Sequence, residues 1–328
     1  MAEMTFELFN NQLMQQLVGE ADSNLRLIEK MLNVEVLSFG NQITVKGSAG
    51  DVESAKAAID ILYDKASRGI EIGEQEVKAA VRMSGNIESK EDTSHLNDIV
   101  LKTKKRYIYP RSATQAQYIQ EMLKNELVFG LGPAGTGKTY LAVALAVSMM
   151  LEGNIDKIIL SRPAVEAGEN LGFLPGDLKE KVDPYLRPLY DALYEMLPAE
   201  QVDKKLALGE IEIAPLAFMR GRTLANSFII LDEAQNTTPM QMKMFLTRLG
   251  ENSRMVVNGD LSQVDLPHGV LSGLRDALNT LKNIDNVSSV TFSASDVVRH
   301  GLVAKIVKAY EEKNRKVQEE YEKMQAES

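Results

Sequence analysis

Apolar positions along this chain recur with two different periods, and the changes between them mark out its parts. MTFELF, residues 4–9, alternates as a strand does; Leu13, Met14 and Leu17 then fall at helical spacing, which resumes at Leu25, Ile28 and Leu32 after VGEADSN. EVLSFGNQITVKG predicts a hairpin turning at Phe39-Gly40-Asn41. Ser48 and Asp51 have capping-box spacing, with Val52, Ala55, Ile59 and Leu62 on one helical face behind them. Residues 1–68 therefore read as a small α+β domain. Residues 69–104 predict one more strand and helix in IEIGEQEVKAAVRM and a polar, acidic linker in SGNIESKEDTSH. From residue 105 to 312 helical stretches alternate with short apolar runs, NELVFGLG, DKIILSRP, SFIILDEA, RMVVNGD and VSSVTFS. That alternation predicts an α/β domain, a mostly parallel sheet with helices on both faces. Residues 313–328 read as a charged helical tail without an apolar stripe.

Composition narrows the chemistry. The 328 residues include no Cys, which excludes disulfides and thiolate zinc sites, and the three His residues are scattered. No window is apolar enough to span a bilayer and MAEMTFELFNNQ lacks the features of a signal peptide, so the expectation is a cytoplasmic protein with no membrane partner. A formal net charge of -9 argues against a broad electrostatic grip on nucleic acid. A local exception is IVLKTKKRYIYPRS, where Lys102, Lys104, Lys105, Arg106 and Arg111 interleave with Tyr107 and Tyr109. Cations beside rings suit single-stranded nucleic acid, and lysines guarding an edge strand are the alternative.

The chemical signal is concentrated in four stretches. Gly132-Pro133-Ala134-Gly135-Thr136-Gly137-Lys138-Thr139, followed by Tyr140, fits G-x-x-x-x-G-K-[ST] between a strand and a helix. In such a loop the bare backbone turns its N–H groups onto a phosphate chain, Lys138 reaches the β- and γ-phosphates, and the Thr139 hydroxyl ligates Mg²⁺. FIILDEAQ delivers Asp232 from the end of a buried strand to hold the Mg²⁺ water shell, with Glu233 beside it to polarise an attacking water. That second carboxylate favours hydrolysis over a kinase, which must keep water from the γ-phosphate. VVNGDLSQ places Asp260 and Gln263 after another strand, where they can sense a γ-phosphate. Gln115, in SATQAQYIQ, can read an adenine edge, or simply begin a solvated helix. ATP and Mg²⁺ are thus the expected ligands.

The order of Gln115, GPAGTGKT, DEAQ and GDxxQ resembles that of superfamily-one helicases. The connecting text, SRPAVEAGENLGFLPGDLKEKVDPYLRPLYDAL, FMRGRTL, NTTPMQMKMFLTRLG, GDLSQVDLP and VVRHGLVAKIVKAYE, resembles the PhoH family of cytosolic ATPases. The resemblance implies a RecA-like P-loop NTPase fold, ATP hydrolysis, an RNA substrate, and a link to an endoribonuclease of ribosomal RNA maturation. The first domain resembles a KH-like RNA-binding module, whose GxxG clamp stands here as Gly19-Glu20-Ala21-Asp22. Its two carboxylates leave two readings, RNA binding and protein docking.

Too little chain follows GDLSQ for the second RecA-like domain that supplies a helicase's catalytic arginine. The expectation is a homo-oligomeric ring, a hexamer, with an arginine acting across subunits. Arg299 is the leading candidate, with Arg220 and Arg222 behind it, while Arg162, after the strand KIIL, is expected to contact nucleic acid or phosphate in its own subunit. The Pro- and Gly-rich stretch at 168–193 reads as a pore loop leading into a helix, or as a surface excursion. Met240, Met244 and Phe245 are expected in the core.

Overall fold

The structure, a computed structural model, describes residues 2–8, 10–84, 99–163, 178–267 and 269–297. Three hydrophobic cores form within it. The first belongs to an N-terminal unit of β1 (Ala2–Glu7), α1 (Asn11–Val18), α2 (Ser23–Leu32), β2 (Glu35–Phe39), β3 (Gln42–Gly47), α3 (Ala49–Ser67) and α4 (Glu74–Ser84). Its strands form an antiparallel sheet in the order β1-β3-β2, with the hairpin turning at Gly40 and Asn41. Ser48 caps α3 by accepting from the Asp51 N–H, and Val52, Ala55, Ile59 and Leu62 are buried beneath it.

Residues 70–73 are not the strand that IEIG predicts. Ile72 turns into the first core, and its carbonyl accepts from the buried Asn24 amide rather than from a neighbouring strand. That bond, with Val77, Ala80 and Val81 of α4, carries the unit to residue 84, past the boundary expected at 68. At the other side of that segment, β4 (Leu101–Lys102) and β5 (Tyr107–Ile108) pair as a hairpin and Leu101 is buried in the second core. The boundary expected at 104 and 105 therefore falls inside a turn.

The larger unit continues with α5 (Ala113–Lys124), β6 (Leu127–Leu131), α6 (Lys138–Leu151), β7 (Lys157–Arg162), α7 (Leu178–Met196), α8 (Ala199–Ala207), β8 (Ile211–Pro215), β9 (Ser227–Leu231), α9 (Pro239–Leu246), β10 (Arg254–Gly259), α10 (Gly273–Thr280) and β11 (Val287–Thr291). Its six-stranded sheet runs β11-β6-β10-β9-β7-β8, every pairing parallel. Both faces are covered, so successive residues of one strand enter different cores: Phe228 and Ile230 pack with α6 and α7, Ile229 and Leu231 with α9 and α10. β10 inserts between β6 and β9, which brings the chain after β6, β9 and β10 to one rim. This is the α/β, RecA-like arrangement.

Edge strand β8 lies outside the apolar runs. It is short, carries Glu212 and ends at Pro215, features tolerated only where one side is unpaired. On α9, Met242 and Phe245 fill the core while Met240, expected there, is 82% exposed.

Gly130 shows how tightly β6 is held. A Cβ there would lie 2.4 Å from Asn258 Oδ1 and 2.9 Å from the Tyr118 hydroxyl, two buried groups that hydrogen-bond to each other at 2.6 Å. Gly130→Ala is expected to lower stability by about 1–3 kcal/mol through overpacking. Urea denaturation checks this, and an unshifted midpoint would mean that β6 and β10 yield freely.

Candidate functional site

The chain leaving β6 turns sharply at Gly132, whose φ of 128° and N–H bond to the Gly259 carbonyl seat the loop against β10. A Cβ at Gly132 would lie 2.4 Å from the Phe292 carbonyl oxygen, so no larger residue fits that turn. Pro133, Ala134, Gly135 and Thr136 form the arch, Thr136 Oγ1 donating back to the Pro133 carbonyl at 3.0 Å. Gly137 then caps α6 in a left-handed conformation. The lysine of the motif lies inside the loop: Lys138 Nζ donates to the carbonyls of Gly132 at 2.6 Å and Pro133 at 2.9 Å. Burial holds its pKa below the ordinary lysine value, opposed by Asp232, Asp260 and Glu233.

In the first turn of α6, the Thr139 hydroxyl donates to Asp232 Oδ1 at 2.6 Å and so joins the loop to the end of β9. Asp232 is 7% exposed; burial pushes its carboxyl upward, and Arg162 is the main opposing influence. Arg162, at the end of the adjacent strand β7, places Nε 3.2 Å from Asp232 Oδ2 and donates from Nη2 to Glu233 Oε1 at 2.8 Å. Arg162 thus sets its charge against the two carboxylates on the rim of its own subunit. Glu233 has a left-handed backbone, φ 53°, uncommon for a residue with a side chain, which starts the turn that follows.

Gln235 completes the arrangement and was invisible as a site residue in the motif that contains it. At 1% exposure it donates from Nε2 to Glu233 Oε2 at 2.6 Å and accepts at Oε1 from the Asp260 N–H at 3.0 Å. One amide therefore ties the end of β9 to the end of β10. Asp260 turns Oδ1 to the Ser262 N–H and hydroxyl, leaving Oδ2 buried with no hydrogen-bond partner among the described residues. Gln263 is exposed beyond it. Lys138, Thr139, Tyr140, Asp232, Glu233, Asp260 and Gln263 line one cavity of about 230 Å³ with Ala134, Gly135 and Gly137.

Gln115 lies behind the loop rather than on a solvated helix start. It is 4% exposed, accepts from the Arg111 N–H at 2.7 Å and donates to the Thr136 carbonyl at 2.9 Å. It also lines a second cavity, of about 440 Å³, which shares Gly135, Gly137 and Tyr140 with the first. The basic run before it is partly engaged: Lys105 donates to the Tyr194 carbonyl and Arg106 pairs with Glu195, while Tyr109 faces the second cavity and Tyr107 remains 56% exposed.

Of the arginines considered for a role across subunits, Arg222 is bound by both carboxylate oxygens of Glu212 at 2.6 Å and is occupied within its own chain. Arg220 is exposed. Arg299 lies outside the described residues, as do residues 168–177 and the tail at 313–328.

A phosphate-type loop at the end of β6, an acid pair at the end of β9 and a polar strand end between them define a P-loop NTPase, a nucleotide-binding protein. Comparison with known proteins is specific: the chain belongs to the PhoH-like family, whose model matches residues 107–311. It is 52% identical over 299 residues to a PhoH-like protein of Bacillus subtilis (strain 168), covering 91% of this chain and 94% of that one. To Protein PhoH of Escherichia coli (strain K12) it is 37% identical over 321 residues, covering 94% and 86%. A solved Sulfolobus solfataricus SWI2/SNF2 ATPase core in complex with dsDNA aligns over 45% of this chain and 31% of its own at 17% identity and a TM-score of 0.30, too little overlap to argue from. No helix among the described residues is long and apolar enough to cross a membrane.

Gln235→Ala is expected to leave Glu233 and Asp260 without their common partner. Turnover should fall by about 10–100-fold, the usual cost of removing an orienting neighbour, while nucleotide affinity changes little. Steady-state kinetics beside equilibrium binding check this, and an unchanged kcat would remove Gln235 from the machinery.

Proposed function

We propose that the chain is a Mg²⁺-dependent ATPase of the cytoplasm that assembles as a homo-oligomeric ring, a hexamer, and uses hydrolysis to move or remodel RNA or ribonucleoprotein, in ribosomal RNA maturation beside an endoribonuclease. The observation that carries the catalytic part is the 2.6 Å bond from Thr139 to Asp232, which sets a hydroxyl and a carboxylate together beside the loop that would hold the phosphates.

Those oxygens fit a hard divalent ion. Mg²⁺ is commonly held by one or two protein oxygens and its nucleotide rather than by a protein cage. Consistently, among the described residues no group of three or more His, Asp and Glu is arranged to hold a metal alone. Thr139 and Asp232 would hold the ion, and the buried free oxygen of Asp260 is available to a water in its shell. When bound, Mg²⁺ neutralises charge on the phosphates. For the chain's own part, Lys138 would leave the loop carbonyls for the phosphates. Glu233 would release Arg162 or Gln235 to free an oxygen for the attacking water, since both its oxygens accept hydrogen bonds.

The ring reading is supported by the described residues, whose one RecA-like sheet leaves the site open on one side and whose Arg162 and Arg222 are engaged within their own chain. An arginine from a neighbour, Arg299 or the exposed Arg220, would complete the charge stabilisation.

A second reading, a nucleotide-driven switch that presents a protein partner without moving nucleic acid, is favoured by the KH-like turn. Glu20 and Asp22 are both exposed there, and two carboxylates repel phosphates.

Lys138→Ala should abolish nucleotide binding. Glu233→Gln should bind ATP and lower turnover by at least about 100-fold, as loss of a general base does; turnover at the wild-type rate would overturn the assignment. If RNA is the substrate of a ring, single-stranded RNA should stimulate ATPase in a salt-sensitive way on particles whose light-scattering mass is a multiple of the chain. Stimulation absent at every salt would favour the switch, and a monomeric mass with ATP present would remove the ring.

A further inference from the structure

Lys65, near the end of α3, is 8% exposed, yet among the described residues its ammonium makes no hydrogen bond and no ion pair. The Tyr109 ring lies beside it, with Nζ 5.8 Å from the centroid. Lys65 borders the 440 Å³ cavity that α3 and α4 share with the phosphate loop, its stem buried and its Nζ within reach of solvent, and Glu76 of α4 lines the same cavity. Tyr109, Tyr140 and Gln115 line it too.

This cavity continues the smaller one. Both include Gly135, Gly137 and Tyr140, so a triphosphate seated on Lys138 and Thr139 would project its nucleoside toward Lys65. The volume lies in the range of pockets that enclose small ligands. Aromatic side chains and an unsatisfied donor beside a carboxylate match a planar base whose edge carries an acceptor next to an amino group, as adenine's does.

We propose that this cavity is the base subsite and that the N-terminal unit reads the base, Lys65 donating to a ring nitrogen of adenine and Glu76 accepting from its amino group. The inference rests on the nucleotide-binding reading of the phosphate loop and adds to it. It makes the N-terminal unit part of the ATP site instead of an appended module. Burial lowers the Lys65 pKa, with Glu76 the largest opposing influence, and a base acceptor would relieve that desolvation. A second clasp holds the wall in place, Arg111 Nη1 donating to Gln75 Oε1 at 2.7 Å, one residue from Glu76. Linkage then works both ways: a nucleotide tightens the N-terminal unit on the core, and anything that pulls on that unit changes nucleotide affinity by the same factor.

The test uses the full chain and two ligands with Mg²⁺, ADP and inorganic pyrophosphate, the second having no base. Lys65→Met keeps the length of the stem, and Glu76→Gln keeps an acceptor for the Gly73 N–H that Glu76 now receives at 3.2 Å. Each variant is expected to weaken ADP about tenfold, Lys65→Met by removing the donor and Glu76→Gln by removing the charge from a hydrogen bond its amide oxygen can still accept, and to leave pyrophosphate unchanged. ADP should also protect the amides of α3 and α4 from hydrogen exchange, and pyrophosphate should not. ADP binding unchanged in Glu76→Gln and Lys65→Met overturns the proposal, as does equal weakening of both ligands in variants that melt like wild type. If Lys65→Met fails to fold, Glu76→Gln decides alone. Lys138→Ala separates the two levels: it should lose both ligands, and if it keeps both, the nucleotide reading itself is wrong.

Discussion

A buried carboxylate has to be answered by something, and in this chain the answer to Asp232 organises the whole rim of the sheet. The acid sits at the end of a strand enclosed on both faces, with 7% of its surface exposed. Removing a carboxylate from water costs several kcal/mol unless charge and hydrogen bonds replace the lost hydration. Arg162 supplies the charge from β7 and Thr139 a hydrogen bond from α6. Each of those residues then has a fixed direction, and through them the phosphate loop, β7 and β9 acquire a common geometry.

The same logic extends sideways through Gln235. Glu233 and Asp260 belong to different strands and different motifs, yet they meet on one amide whose donor and acceptor ends are both used. A displacement of either acid is therefore felt by the other. An amide suits the task because it matches a carboxylate at one end and a backbone N–H at the other, which neither Glu nor Lys could do.

Much of this was legible in the sequence, and the reason differs from part to part. The phosphate loop is readable because its ligand groups are backbone atoms, so the glycines that expose them are themselves the signal. β6, β7, β9 and β10 are readable because burial on both faces leaves nearly uninterrupted apolar runs. β8 escapes that rule as an edge strand. Residues 70–73 mislead in the opposite way, since their alternation serves a coil that buries Ile72 and lends its carbonyl to Asn24. Arg162 and Gln235 stand in motifs that are visible, but their partners are set by strand order, which spacing along the chain does not encode. Lys65, Glu76 and Tyr109, up to 44 positions apart, meet in one cavity, and nothing local marks it.

The hairpin at 101–108 bears on how the molecule can be divided. Leu101 belongs to the second core although it precedes the matched family region, and its strand partner is Ile108. Cleavage at 104 and 105 would leave β5 without β4 and open the α6 face beneath it to water. A fragment beginning at Ile99 would keep β4 with β5 but lose the α3–α4 wall, so affinities measured on it would describe a differently bounded pocket from the one the intact chain presents.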